Sequence, residues 1–165
     1  MCHSVFNIVR LLLYVISVSG LNQSRKLTDL SIGIIRSASE RECHLFVEKR
    51  DEVSVTFSGR LLKDNRTFAS NVGEPPFSFR VGTDAIIPGW NKGILGLNFE
   101  NQIDHIVAVY NLHFFRMCLQ EKRRIFVPSS MGYGAGGRPP DVPENADLVF
   151  DIELSHITKS VNDEF

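Results

Sequence analysis

Hydrophobic and polar residues alternate over several short stretches of the chain, with the period of two that is typical of half-buried β-strands. In one of them Phe77, Phe79 and Val81 alternate with Ser78 and Arg80. Similar patterns predict strands over residues 30–35, 52–62, 67–68, 77–81, 122–127 and 147–154. The residues between these stretches are mostly polar or rich in Gly and Pro, which predicts turns and loops.

One short helix is predicted after the strand at 77–81. Pro88 suits the first position of a helix, where the missing N–H costs nothing. Trp90, Ile94 and Leu97 then recur at helical spacing, and Gly93 and Gly96 would let the helix lie close to a neighbouring sheet. Taken alone, Trp90 is most simply explained as a core residue.

Residues 129–145 are dominated by Gly and Pro and are predicted to form a loop between the last two strands. Long structured loops over a compact sheet are commonly functional. Tyr133, between Gly132 and Gly134, is therefore less easily explained as core than the phenylalanines are.

Three motifs in register resemble the FKBP-type peptidyl-prolyl cis-trans isomerases, most closely the small secretory-pathway form. They are residues 53–62 with 67–70, residues 76–90, and residues 126–143 with 148–154. The resemblance covers roughly residues 34–157. It implies an α+β fold in which an antiparallel half-barrel sheet wraps around one short helix, in a single domain over residues 30–158.

The resemblance also implies an aromatic pocket for a proline ring. Trp90 would be its floor, with Phe68, Phe77 and Phe150 as walls. The Ile87 backbone N–H and the Tyr133 hydroxyl would donate to substrate carbonyls, so Tyr133, Trp90, Ile87 and Phe68 are the expected catalytic residues. The full expected set is Phe57, Phe68, Phe77, Ile86, Ile87, Trp90, Tyr133, Val142 and Phe150. Each phenylalanine is equally compatible with an ordinary core position.

Such a pocket needs no nucleophile, metal or cofactor to turn an X–Pro bond. The planar amide is strongly dipolar, and its rotation barrier of about 18–20 kcal/mol comes from that resonance. Apolar surroundings disfavour the planar form relative to the twisted one. The chain departs from the family at the pocket edge, since Phe57 and Ala69 stand where it has Tyr and Asp, and the Arg expected before Pro76 is missing. The alternatives are a non-catalytic module for proline or macrolide ligands and the product of a wrong gene model.

The N-terminus reads as a signal peptide over residues 1–20: a weakly basic start, a short apolar run and small residues for cleavage. The run is too short for a membrane span. Asn22 and Asn65 begin glycosylation sequons, and residues 162–165, within the tail at 159–165, resemble a degenerate retention signal. Together these features predict the endoplasmic reticulum lumen or secretion.

Removal of the signal would take Cys2 with it and leave Cys43 and Cys118. In an oxidising compartment two thiols are candidates for one disulfide, although two unrelated buried thiols are the alternative. The secretory members of the family resemble this chain in carrying a bridged pair at matching places. The five His residues are scattered, and no metal site is predicted.

Residues 97–116 have no counterpart in the family and form an atypical insertion. The segment is too apolar for a solvated loop, and residues 106–110 have strand propensity. A gene-model error is the favoured explanation, and an extra strand or a partner-binding flap are the alternatives.

Composition fits one domain, since 165 residues with 43% hydrophobic content and 12 Phe can bury a single core. A net charge of −1 without a basic stripe gives no electrostatic basis for binding nucleic acid. We expect a monomer whose partners are proline-containing polypeptides, with macrolide immunosuppressants as inhibitors implied by the resemblance.

Overall fold

The structure is a computed structural model, and it describes residues 26–38, 43–96 and 116–160. These residues form six strands and one α-helix. In chain order the elements are β1 (Ser31–Arg36), β2 (Glu52–Leu61), β3 (Thr67–Ser70), β4 (Phe77–Arg80), α1 (Pro88–Leu95), β5 (Lys122–Val127) and β6 (Leu148–Thr158). Two short 3-10 turns, Ser129–Met131 and Gly134–Gly136, lie between β5 and β6.

All strand pairs are antiparallel, and β2 and β6 form the middle of the sheet. The order is β1-β5-β6-β2-β3, and β4 also pairs with β2. Because β3 pairs with residues 58–60 of β2 and β4 with residues 52–55, the two short strands follow one another along the same edge of β2. Among the described residues strand β1 pairs only with β5, so it forms an edge of the sheet.

The hydrophobic core lies between the sheet and helix α1. Alternate residues of β2 and β5 are buried, which is the period-two pattern read from the sequence. Fully buried members include Val53, Val55, Ile94, Ile125 and Ile152. In β4 the pattern holds only partly, because Phe79 is buried whereas Phe77 is 44% exposed.

A disulfide joins Cys43 to Cys118, with Cα atoms 5.4 Å apart, as the sequence predicts. A buried ion pair between Glu121 and Arg123 supports the same region. The Glu121 carboxylate accepts from the Cys118 backbone N–H at 2.8 Å, and the Arg123 guanidinium donates to the Gly93 carbonyl oxygen at 3.0 Å. These contacts tie the start of β5 to both the bridge and helix α1.

The predicted insertion at 97–116 lies outside the described residues except for Arg116, but the residues that flank it, Gly96 and Met117, are described. The Met117 backbone N–H donates to the Ile94 carbonyl oxygen at 3.0 Å, so the chain returns beside the point where it left the helix. The predicted signal peptide and Asn22 also lie outside the described part of the chain. Within that part, no helix is long and apolar enough to cross a membrane.

Candidate active site

Helix α1 positions the Trp90 side chain, because the residue at which the helix begins and the face that packs on the sheet are both well defined. Ile87 is in an extended conformation with ψ at 145°, and Pro88 occupies the first helical position, as predicted. Gly89 and Gly93 face the sheet with no side chain, and a Cβ on either would lie within 2.5 Å of Val127 or Ile125 atoms. The close approach of helix and sheet therefore brings the Trp90 indole down onto the sheet.

Trp90 is the centre of an aromatic cluster. Its ring meets Phe57 edge-on at 4.9 Å and Phe150 edge-on at 5.3 Å between centroids. Phe79 packs against it at 5.6 Å and Phe77 at 6.4 Å. Edge-to-face packing is a favoured geometry for aromatic rings and holds each ring in a defined orientation.

A pocket of about 620 Å³ opens above this cluster. Eight of the nine residues expected from the sequence line it: Phe57, Phe68, Phe77, Ile86, Ile87, Trp90, Tyr133 and Phe150. Val142 does not line it. That side chain is 1% exposed and belongs to the hydrophobic core. Val142 is held there because its backbone N–H and carbonyl both pair with Arg138 across a tight turn.

The Ile87 backbone N–H and the Tyr133 hydroxyl are hydrogen-bond donors at the pocket. Ile87 precedes the helix, where backbone N–H groups lack helical acceptors, and its own N–H has no acceptor among the described residues. The Tyr133 hydroxyl oxygen accepts from an Arg138 guanidinium N–H at 3.3 Å, which leaves the hydroxyl proton for another acceptor. The Trp90 indole N–H is buried and likewise has no acceptor in the described part of the chain.

The loop carrying Tyr133 is closed at its base by Asp147. One carboxylate oxygen of Asp147 accepts from the Ser129 backbone N–H at 2.8 Å, and the other accepts from the Leu27 backbone N–H at 2.8 Å. The Gly134 carbonyl oxygen accepts from the Asn145 backbone N–H at 2.8 Å. Tyr133 therefore sits on a loop that is fixed at its base by hydrogen bonds.

Asn71 holds Phe57 in the pocket wall, although it is not among the residues expected from the sequence. Its side-chain oxygen accepts from the Phe57 backbone N–H at 2.7 Å, and its amide donates to the Val55 and Pro75 carbonyl oxygens at 3.0 and 3.3 Å. Asn71 is 8% exposed, so these bonds satisfy a buried polar group. In the sequence, the available signal was an Asn shortly after the predicted strand at 67–68.

Asp84 and Arg138 are the charged side chains that line the pocket, and neither is among the nine residues expected from the sequence. Both are exposed at its rim, and neither has an ion-pair partner within the described ranges. A charged residue in a loop otherwise made of Gly and Pro could have indicated Arg138.

Asp151 follows Phe150 in β6 and lies beside the pocket wall. Arg124 donates to it through two guanidinium nitrogens at 2.6 and 2.8 Å, and Arg60 adds a third contact at 3.0 Å. The hydrogen bond from Arg124, with a smaller contribution from the nearby positive charges, lowers the pKa of Asp151. This cluster fixes β6 to both neighbouring strands and so supports Phe150.

The geometry defines a small apolar basin with an indole floor, aromatic walls and donors at its edge. Such a site can hold a five-membered apolar ring while hydrogen bonds reach the carbonyls on either side of it. The class of protein that the fold and this site define is a peptidyl-prolyl isomerase with an open antiparallel sheet.

Comparison with known proteins gives the same assignment. Residues 43–155 match the model of the family described as FKBP-type peptidyl-prolyl cis-trans isomerase. The chain belongs to this family.

Several relatives match over most of their length. The chain is 35% identical to peptidyl-prolyl cis-trans isomerase FPR2 of Saccharomyces cerevisiae, over 78% of this chain and 81% of the yeast protein. It is 32% identical to peptidyl-prolyl cis-trans isomerase FKBP2 of Homo sapiens, over 88% and 84%. The crystal structure of AtFKBP13 superposes with a TM-score of 0.62 at 23% identity, covering 82% of this chain and 98% of that one. That structure confirms the predicted fold.

The predicted activity is confirmed at the level of the family, and the chain is a peptidyl-prolyl cis-trans isomerase by descent. The predicted closeness to the small secretory form is confirmed by its matches to FKBP2 proteins.

Proposed function

We propose that the pocket above Trp90 binds the proline ring of a polypeptide and accelerates rotation about the preceding peptide bond. The observation that carries this proposal is the convergence of eight expected residues on one cavity of about 620 Å³. Trp90 supports the ring from below, and Phe57, Phe68, Phe77 and Phe150 surround it.

Catalysis rests on the different polarity of the two states. The planar amide carries a large dipole that water stabilises, whereas the twisted amide has lost this charge separation. Transfer to an apolar basin therefore costs the planar state more than the twisted one, which lowers the barrier. Donation by the Ile87 N–H and the Tyr133 hydroxyl holds the flanking carbonyls, so binding energy also selects the reactive conformation.

Phe68→Leu and Phe79→Leu form a matched pair that tests the proposal. Phe68 lines the pocket, whereas Phe79 packs behind Trp90 and is 7% exposed in the core. In a protease-free isomerisation assay on a proline tetrapeptide, Phe68→Leu should lower kcat/KM at least several-fold, whereas Phe79→Leu should mainly lower stability. Equal kcat/KM values for the two folded variants would reject the pocket assignment.

A binding module without turnover is the second candidate. Phe57 and Ala69 line the pocket at positions where the family has the polar residues Tyr and Asp, so the pocket has lost two polar groups that could assist turnover. One relative carries the name FK506-binding protein 2, in Dictyostelium discoideum, at 31% identity. We propose that macrolides of this kind occupy the same pocket here. Trp90→Phe should retain part of the macrolide affinity and Trp90→Ala should lose it. Macrolide binding by a wild-type protein that shows no turnover would favour the second candidate.

We further propose that the protein works in the endoplasmic reticulum lumen or is secreted. The Cys43–Cys118 disulfide supports this, because such bonds persist in oxidising compartments. Asn65 is exposed at the β2–β3 turn, so a glycan attached to it would extend into solvent. Expression of the full chain in eukaryotic cells should give a protein with a processed N-terminus. A fraction of it should be sensitive to glycosidase, and Asn65→Gln should lower that fraction. An unprocessed chain with free thiols would contradict the proposal.

A further inference from the structure

Arg138 is a cation at the pocket rim that the isomerase mechanism does not use. Its guanidinium carbon lies 5.8 Å from the centre of the Tyr133 ring, and one of its N–H groups donates to the Tyr133 hydroxyl oxygen. The backbone beneath it is fixed, since the Arg138 N–H donates to the Val142 carbonyl oxygen at 2.8 Å and its own carbonyl accepts from Asp141 and Val142. Its position is therefore set while its charge faces solvent.

The remaining guanidinium donors have a definite chemical preference. Arginine offers five N–H donors and no acceptor, and one contact to Tyr133 leaves most of them unused within the described part of the chain. Guanidinium recognises carboxylates by paired hydrogen bonds. A peptide whose proline occupies the pocket carries its neighbouring side chains past this rim.

We propose that Arg138 is a specificity-determining residue that favours substrates with a carboxylate next to the proline. This inference rests on the proposed use of the pocket for X–Pro bonds. Asp84 lies on the same rim without contacting Arg138, so the two charges give the groove a basic and an acidic portion. A lysine beside the proline is disfavoured at the basic portion.

The test measures kcat/KM for two series of proline tetrapeptides, with Glu, Gln or Lys placed either before or after the proline. In one series the wild-type protein should prefer Glu over Gln by roughly two- to fivefold, the range expected for an exposed ion pair. Lys should be the poorest substrate. The preference should shrink near 1 M salt, where the screening length falls to about 3 Å.

Variants separate specificity from structure. Arg138→Gln should abolish the preference, and Arg138→Glu should invert it towards Lys. Arg80→Gln removes an exposed arginine that does not line the pocket, and it should leave the preference unchanged. A role confined to orienting Tyr133 would lower activity equally for all peptides.

The proposal is overturned if neither series shows a charge preference in the wild-type protein, or if Arg138→Glu retains the wild-type order. Absence of turnover with every peptide would instead count against the proposed function. In that case the same series, measured as inhibition of macrolide binding, decides whether Arg138 selects acidic peptides.

Discussion

Gly93 lies where helix α1 packs on strand β5, and substituting it with alanine tests how the floor of the pocket is positioned. A Cβ at this position would lie 2.3, 2.9 and 3.0 Å from three side-chain atoms of Ile125. Ile125 is fully buried, so its side chain cannot move into solvent. The helix must therefore shift away from the sheet, or Ile125 must leave its rotamer.

The expected net cost is a difference of two terms. Overpacking a well-filled core typically costs about 1–3 kcal/mol, and contacts this short belong to the upper half of that range. Replacing glycine with alanine inside a helix recovers about 1 kcal/mol of helix propensity. We therefore expect Gly93→Ala to lower the free energy of unfolding by about 1–2 kcal/mol.

A double-mutant cycle identifies the cause. Ile125→Val removes the atom at 2.3 Å, and on its own it should cost about 0.5–1.5 kcal/mol. In the Gly93→Ala background the same change should cost little or should stabilise, giving a coupling energy of at least about 0.5 kcal/mol. Urea unfolding of the oxidised protein, followed by fluorescence of Trp90, the sole tryptophan of the chain, measures all four proteins.

Gly136→Ala is the control, because a Cβ there would meet nothing within 4 Å. It should change stability by less than about 0.5 kcal/mol. Gly93→Ala should also weaken macrolide binding, since Trp90 lies on the same helix. Full stability of Gly93→Ala, or simple additivity with Ile125→Val, would refute the packing argument.

Three further predictions concern stability and the inserted segment. Replacing Cys43 and Cys118 with alanine should lower the unfolding free energy by about 2–4 kcal/mol, because the bond joins residues 75 apart in sequence; equal urea midpoints with and without the bond would contradict this. Asp151→Asn should cost about 1–2 kcal/mol at pH 7. Contact with Arg124 lowers the pKa of Asp151 in the folded state, so this stabilisation is present above the ordinary pKa of 3.8 and disappears as pH falls through the lower folded pKa. The unfolding free energies of wild type and variant should therefore converge as the pH is lowered below 3.8. Replacing residues 97–116 with a short glycine linker should preserve the fold, because the hydrogen bond from the Met117 N–H to the Ile94 carbonyl oxygen already holds the flanking residues together. The replacement should also raise solubility, because the removed segment is rich in apolar residues. Loss of the folded state on deletion would make the segment a required element.

The sequence by itself determined the strands, the helix and most of the pocket residues. Period-two alternation located β2 and β5 because one face of each strand must be buried. Pro88 marked the first residue of the helix because its ring is compatible only with the first turn. Three motifs in register then placed the aromatic residues in a family whose fold brings them together.

Only the tertiary structure decided which side chains reach the cavity and which polar groups support it. Val142 was expected at the pocket but is drawn into the core, because the turn at Arg138 fixes its backbone. Asn71 and Arg138 come from separate loops, and their partners at Phe57 and Tyr133 are set by the way those loops pack. Alternation and motif spacing indicate the local secondary structure. Contacts between loops depend on packing across the whole sheet, which a linear pattern does not encode.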